Sequence, residues 1–499
     1  MIAALLLTIF VVICFHNFYW KRRGLPPGPT PLPLLGNAFS FFSVPHPDFY
    51  INWTKKYGDI YTIWVGTWSQ VCVNDLEGIQ EHFLRDGDTF AGRYLGKEML
   101  EIIKNGQTGI LFTEDSLWRE HRRFALTVLR DFGVGKNLME MKILHEITLM
   151  FEEMDADVEA GGQLVVMSDH IDVTVGSIVN ALLLGHKYRN KDRREQFFKI
   201  KRMMNDMFKQ MSNPFMVVFQ YKTHIFKNVP VIGAVYKNIV KTRDTLMGYF
   251  AENVEEKRRT VDLSSSAPPE DYVEAYLRKQ KEYTEAGKEH TFDDEQLYGT
   301  LWDLWFAGQE TTSVTTQWCL AYLLKHPEVQ EKLHNELSNI VSPDQIVTSE
   351  HRHQLPYLNA VIAETQRCGN MVTNNVTRRT TKETVIHGYK IPAGQPIVSN
   401  IASLLYDDRY FPEPHSFKPE RFIDENGAFK SHPALLPFGL GKRVCLGEAL
   451  AKMELFLLIG NMFNRYKFVE NLEKPVSLKR VFGSSVNPIP YVCNVERRE

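Results

Sequence analysis

Phe438-Gly439-Leu440-Gly441-Lys442-Arg443-Val444-Cys445-Leu446-Gly447 isolates one cysteine between glycines and basic residues, just ahead of an amphipathic helical pattern. A thiolate is the sulfur species that ligates metals, and this setting favours it. Lys442, Arg443 and the free amides of a starting helix would all lower a thiol pKa. Gly441 and Gly447 can take backbone conformations closed to other residues and bring the main chain close to a flat group. A buried packing cysteine is the commoner fate of this residue type. The chemistry to expect at Cys445 is metal ligation.

A second constellation, Ala307-Gly308-Gln309-Glu310-Thr311-Thr312, puts small residues, an acid and hydroxyls inside an apolar and aromatic helical run. Glycine costs a helix about 1 kcal/mol relative to alanine, so local stability does not explain the choice. Close approach of a bulky flat group would, and a hydroxyl bonding back to a carbonyl can loosen the helix there and admit a water. The third constellation is Glu364-Thr365-Gln366-Arg367, an acid and a base at i and i+3 on one helical face. A second arginine, Arg421, comes later in Phe417-Lys418-Pro419-Glu420-Arg421-Phe422.

Taken in chain order, from the proline-rich hinge at Leu25–Pro33 and the long helix through Glu-x-x-Arg to the cysteine loop, the segments resemble the cytochromes P450. The cysteine loop matches Phe-x-x-Gly-x-Arg-x-Cys-x-Gly, the long helix matches Ala/Gly-Gly-x-Asp/Glu-Thr-Thr/Ser, and Glu364, Arg367 and Arg421 match the bracing Glu-Arg-Arg cluster. The resemblance implies haem b (iron protoporphyrin IX) with Cys445 as axial ligand of the iron and Phe438 and Gly439 in its loop. It implies that Thr311 positions a proton donor for bound O2 and that Glu310 connects it to solvent. Trp118-Arg119-Glu120-His121-Arg122 matches Trp-x-x-x-Arg, so Trp118, Arg122, Arg378, Arg443 and Arg93 become the expected donors to the two haem propionates. A thiolate ligand donates electron density through iron and favours O–O cleavage. The implied reaction inserts one oxygen atom from O2 into an organic substrate and releases the other as water. NADPH-derived electrons would arrive from a separate NADPH-cytochrome P450 reductase, and cytochrome b5 is a second expected donor. Arg122, Arg123, Arg130, Lys136 and Lys442 are the expected basic docking patch. Two other readings stay open on the same fold, an isomerase or dehydratase acting on peroxides and a non-catalytic haem-binding sensor. The intact Glu310–Thr311 pair argues against both.

The elements that must position these residues are marked by periodicity. Ile2 to Trp20 is nearly continuous in apolar residues and ends at Lys21, Arg22 and Arg23. About twenty apolar residues suit one transmembrane helix, and the basic flank keeps the rest of the chain cytosolic. Residues 1–20 therefore read as an anchor, 21–37 as a basic, proline-rich hinge containing Leu25 to Pro33, and 38–499 as a single catalytic domain. The expected location is the endoplasmic reticulum membrane, with the domain on its cytosolic face. Asp59–Gly66 and Ser69–Asn74 predict a β-hairpin, and later strands are expected near Thr384–Tyr389. Helical periodicity marks residues 115–130, 137–158, 169–185, 192–210, 232–259, 293–325, 327–341 and 446–464. Leu263–Pro269 and Lys279–His290 read as surface connections. The fold class is mainly α with small β-sheets, the cytochrome P450 fold preceded by one anchor helix.

The chain has 499 residues, 44% of them apolar, enough for a large core. Its six cysteines, Cys14, Cys72, Cys319, Cys368, Cys445 and Cys493, contain no C-x-x-C pair, so neither a disulfide scaffold nor a zinc site is indicated. Lys and Arg number 58 against 60 Asp and Glu; a net charge of −2 gives no reason to expect nucleic acid. The expected pocket lining, Ile110, Phe112, Phe215, Trp305, Ala307, Val372, Val376 and Phe482, favours a lipophilic small molecule, whether fatty acid, steroid or xenobiotic. Asn374 and Asn375 read either as recognition of a polar substituent or as a turn. Arg130-Asp131-Phe132-Gly133-Val134-Gly135-Lys136 and the hinge are similar to animal microsomal enzymes of family 2.

Overall fold

A computed structural model describes residues 1–43, 48–134, 137–159, 164–211, 216–483 and 485–498. The first helix, α1 (Ile2–Phe18), is exposed along nearly its whole length and belongs to no core. Its apolar run, extended to Ala4–Arg22, is long and apolar enough to cross a membrane.

The helices that frame the site are α2 (Asp115–Asp131), α3 (Asn137–Glu159), α4 (Met167–Leu184), α5 (Lys191–Met211), α6 (Ile232–Thr260), α7 (Tyr272–Glu285), α8 (Asp294–Lys325), α9 (Pro327–Ser338), α10 (Pro356–Gly369) and α11 (Glu448–Arg465). Helix α8 is the spine. Asp293 caps its start by accepting from the Gln296 amide, and α4, α6, α10 and α11 all pack on it. Because it is enclosed, α8 is apolar on most sides, and Trp302, Trp305, Trp318 and Leu320 are buried in the main core. Helix α7 takes in Lys279 to Glu285, where the sequence predicts a surface connection. The apolar residues at its N-terminal end, Tyr272, Val273, Ala275, Tyr276 and Leu277, are buried and hold it against the body.

A five-stranded sheet lies at the other end, in the order β1 (Ile60–Val65), β2 (Trp68–Val73), β5 (Pro396–Ser399), β4 (Arg378–Arg379), β3 (Gly92–Arg93). The β1–β2 hairpin forms as expected, in register from Ile60 opposite Val73 to Val65 opposite Trp68, with Gly66 at φ +63° in the turn. The strands expected near Thr384–Tyr389 form, as a hairpin. His387 and Gly388, at φ +47° and +81°, turn Thr384–Ile386 back onto Tyr389–Ile391. The short pairing of β3 with β4 sets Arg93 opposite Arg378.

Candidate active site

Cys445 is held by its own loop. Its amide donates to the Phe438 carbonyl at 2.9 Å, and Arg122 reaches across from α2 to the Val444 carbonyl at 2.6 Å. Gly439 and Gly441 take φ of +70° and +69°. A side chain on Gly441 would lie 1.9 Å from the Phe83 carbonyl, so this glycine is demanded by neighbouring backbone. Gly447 does not use left-handed freedom; it starts α11 at φ −89°. Cys445 is exposed, whereas Cys72, Cys319, Cys368 and Cys493 are buried. The expected lowering of its thiol pKa is reversed. Surrounding protein desolvates the sulfur and raises it, while the Gly447 amide and Arg122 pull the other way. Arg443 is spent elsewhere, on the carbonyls of Ala91 (2.8 Å) and Thr113 (2.8 Å), with its guanidinium 3.7 Å from the Trp118 ring centre.

The arginines do converge. Arg93 donates to Leu111 and Val376 carbonyls, and Arg378 to the Leu440 carbonyl at 2.8 Å. Arg93 is held well below the usual arginine range by burial and then by Arg443, Arg378 and Arg122. Burial pushes Arg378 down to about 10; burial again, then Arg378 and Arg122, push Arg443 down to about 9 against the pull of Glu114. Glu114 is itself engaged by Arg379 and the Arg93 amide. Two buried donors here, Trp118 Nε1 and Arg378 Nη1, have no partner among the described residues. Buried polar groups are nearly always paired, so a concentration of positive charge with idle donors fits a ligand that brings carboxylates.

On α8, Thr311 donates to the Ala307 carbonyl at 2.7 Å, the back-bond its position predicts, and the helix runs on unbroken. Ala307 is exposed and Thr311 half-buried on one row of the helix. Gly308 faces elsewhere: its Cβ would sit 3.2 Å from Val179 of α4, so helix packing explains it. Glu310 is buried, near Lys201 Nζ of α5 at 3.8 Å, and accepts from Ser485 Oγ at 3.4 Å. Lys201 also pairs with Asp172 of α4 at 2.5 Å.

A domain described as Cytochrome P450 matches residues 26–495. The chain belongs to the cytochrome P450 family. This P450 is 32% identical over 472 residues to "Cytochrome P450 2E1" of Oryctolagus cuniculus, covering 93% of this chain and 92% of that one. It is 32% identical to "Cytochrome P450 2B19" of Mus musculus, over 95% and 93% of the two chains. Against "Cytochrome P450 2G1" of Oryctolagus cuniculus the identity is 31%, over 98% and 99%. Family 2 similarity therefore runs nearly end to end, and the protein is a cytochrome P450 monooxygenase, an oxidoreductase. Haem is the cofactor this family membership implies, and the arginine cluster with its idle donors fits it.

Other expected site residues are placed less simply. Trp305 is not pocket lining: it is buried with its indole N–H donating to the Tyr188 hydroxyl at 3.2 Å, beside the rings of Phe197 and Phe250. Val372 is exposed, Val376 and Phe112 are half-buried and Ile110 is buried. Phe215, Lys136 and the Phe482 side chain lie outside the described residues. Asn374 donates to the Tyr50 hydroxyl at 2.7 Å and Asn375 to Ser399 Oγ at 3.2 Å. Asn375 has φ +58°, a conformation asparagine tolerates well, so the turn is the reading these contacts favour. Residue pattern alone does not single out Lys104, Gln296, Asp303 or Glu454. A charged residue one turn before Ala307 in an aromatic run is the available signal for Asp303.

Proposed function

We propose that Cys445 is the thiolate ligand of haem b in a membrane-anchored monooxygenase of lipophilic molecules. One observation carries this reading: the loop of the accessible cysteine is fixed by Arg122 beside a cluster of arginines, at which Arg378 Nη1 and Trp118 Nε1 are buried without partners among the described residues. When bound, haem supplies the activation of O2 that no side chain can provide. Trp118 and Arg378 would hold its carboxylates through their idle donors, and Arg122, Arg443 and Arg93, already bonded to backbone carbonyls, would add positive charge and any remaining donors beside them. Thr311, on the accessible row of α8, holds and passes a proton through its hydroxyl. Glu310, tethered near Lys201, is the acid that replenishes it. Apolar residues around Ala307, Val372 and Val376 orient the substrate and exclude water.

Electrons come from NADPH-cytochrome P450 reductase, with cytochrome b5 as a second donor. Arg122, Arg123, Arg130 and Lys442 border one surface groove with Leu446 and Leu450, on the side of the Cys445 loop. A basic groove there suits an acidic donor protein. Helix α1 anchors the chain in the endoplasmic reticulum membrane, and Lys21–Arg23 keep the catalytic domain, residues 38–499, in the cytosol.

The reduced, CO-bound spectrum tests the ligand. Cys445→Ser or Cys445→His should abolish the red-shifted thiolate band, because neither replacement is a comparably electron-rich ligand. Retention of that band in Cys445→Ala would overturn the assignment. Thr311→Ala should keep the band yet divert NADPH electrons to peroxide or excess water. Unchanged coupling of NADPH to product would remove its role.

A further inference from the structure

The segment Gly109–Thr113 crosses α8 just before α2 and carries two expected pocket residues, Ile110 and Phe112. It is bolted down from beneath. Lys104 is 2% and Asp303 7% exposed in their side chains, and their ion pair spans 2.6 Å. The ammonium also donates to the carbonyls of Thr108 (3.0 Å) and Gly299 (3.2 Å), so all three of its protons are used. The other oxygen of Asp303 accepts from the amides of Ile110 (2.8 Å) and Leu111 (2.9 Å). Gln296 closes the remaining position, exchanging two 2.9 Å hydrogen bonds with the Gly109 backbone. Gly109 has φ +85°, and a Cβ there would lie 2.2 Å from Asp303 and 2.6 Å from both Lys104 Nζ and the Gly299 carbonyl. Only glycine fits between the anchor points.

Stability does not account for this pair. Exchanging a buried ion pair for apolar side chains of similar volume is often neutral or favourable to a fold. What the pair adds is direction, since it specifies where two consecutive backbone amides must sit. Asp303, Ala307 and Thr311 occupy positions i, i+4 and i+8, one row of α8. The segment is therefore tied down one turn from Ala307 and two from Thr311. On its other side it gives carbonyls to Arg93 (Leu111, 3.1 Å) and Arg443 (Thr113, 2.8 Å), so it cannot drift without disturbing the arginine cluster.

We propose that Lys104, Asp303 and Gln296 are positioning residues that fix the Gly109–Thr113 wall and thereby set how large a molecule is admitted over the Ala307–Thr311 row. The inference rests on the reading of that row as the substrate side of the haem site. A rigid wall rejects bulk because displacing it breaks buried polar contacts that cannot re-form elsewhere.

The test uses the full-length, haem-loaded chain and two probes monitored by Soret shift, imidazole and 4-phenylimidazole. The double variant K104M/D303L leaves no unpaired charge and keeps the fold, while both amides lose their acceptor. Its affinity for imidazole should stay within about twofold of the parent, while the ratio of the two affinities shifts by about tenfold towards the bulkier probe. Hydrogen exchange at the Ile110 and Leu111 amides should accelerate in parallel. An unchanged affinity ratio with accelerated exchange would overturn the specificity role, and unchanged exchange would overturn the lock itself. If the double variant fails to load haem, Gln296→Leu provides the same ratio and the same exchange comparison from a milder lesion, and each outcome decides the same point. A parent chain that gives no thiolate band and no Soret shift would instead refute the haem reading, and the exchange comparison would still decide the lock.

Discussion

Two groups of buried arginines in this P450 have opposite accounts. At α10, Glu364 and Arg367 have side chains without exposure and meet in two bonds of 2.7 and 2.8 Å. Glu364 also accepts from the Lys418 amide (2.8 Å) and from Arg421 Nε (3.1 Å). The remaining donors of Arg367 go to the carbonyls of Leu405, Pro414 and Ser416. Around Arg93, Arg122, Arg378 and Arg443, in contrast, like charges press on one another and donors stand idle. A closed cluster is a brace, since everything it needs is already supplied. An open one is a receptor, since its free energy is recovered only when a ligand supplies the missing acceptors.

The comparison breaks most visibly at the brace. Glu364→Ala leaves two arginines in the interior without their carboxylate, and the expected loss is about 3–5 kcal/mol. Denaturant unfolding of the chain, with or without haem, should show it. A loss confined to haem affinity would make the brace part of the receptor.

Glu454 lies between the extremes, a buried acid with one partner. It accepts from Thr312 Oγ1 at 3.0 Å, and its second oxygen has no partner among the described residues. Burial pushes it up from 4.5 to about 8, opposed only by that hydrogen bond. In this pH window the folded chain holds a proton that the unfolded chain has released, so stability falls as pH rises from 4.5 and levels off above 8. Glu454→Gln keeps the acceptor and removes the charge. Stability of the variant should be flatter with pH and exceed the parent at pH 8 by roughly a few kcal/mol. Denaturant midpoints across the window measure it, and parallel parent and variant curves would exclude ionisation of Glu454.

The receptor should respond to a smaller lesion in the opposite sense from the brace. Arg378→Leu removes one of several repelling charges and one hydrogen bond, so the haem-free chain should keep its stability within about 1 kcal/mol. Haem should then be released about tenfold faster, because one charge-assisted contact is gone. Transfer of haem to an apo-globin acceptor reads the rate. Unaltered release would take Arg378 out of the receptor.

The smallest effect is expected at the turn. Asn375→Gly satisfies the same positive φ and should change stability by less than about 1 kcal/mol. Turnover per haem of a fatty acid and its alkane analogue should keep the same ratio. A selective loss of the fatty acid would restore substrate recognition to this residue.

Residue type, order and spacing sufficed for eight of the helices, for the β1–β2 hairpin and for the Glu364–Arg367–Arg421 cluster. The helices and the hairpin are legible because helical periodicity and turn chemistry depend on neighbours close in sequence. Contacts between distant segments were not legible. The periodicity that identifies α8 cannot say which face meets which helix, so Trp305 reads as pocket lining although it turns towards Tyr188, and Gly308 as facing a cofactor although it packs on Val179. Arg443 reads as an influence on its neighbour Cys445, yet folding sends it to Ala91 and Thr113. The Lys104–Asp303 pair joins residues 199 positions apart, and only the packing of helices brings them together. The sequence by itself determined which chemical groups this P450 carries and the elements that hold them. The tertiary structure alone decided which of those groups are satisfied and which are left to bind, because satisfaction depends on partners supplied by the whole fold.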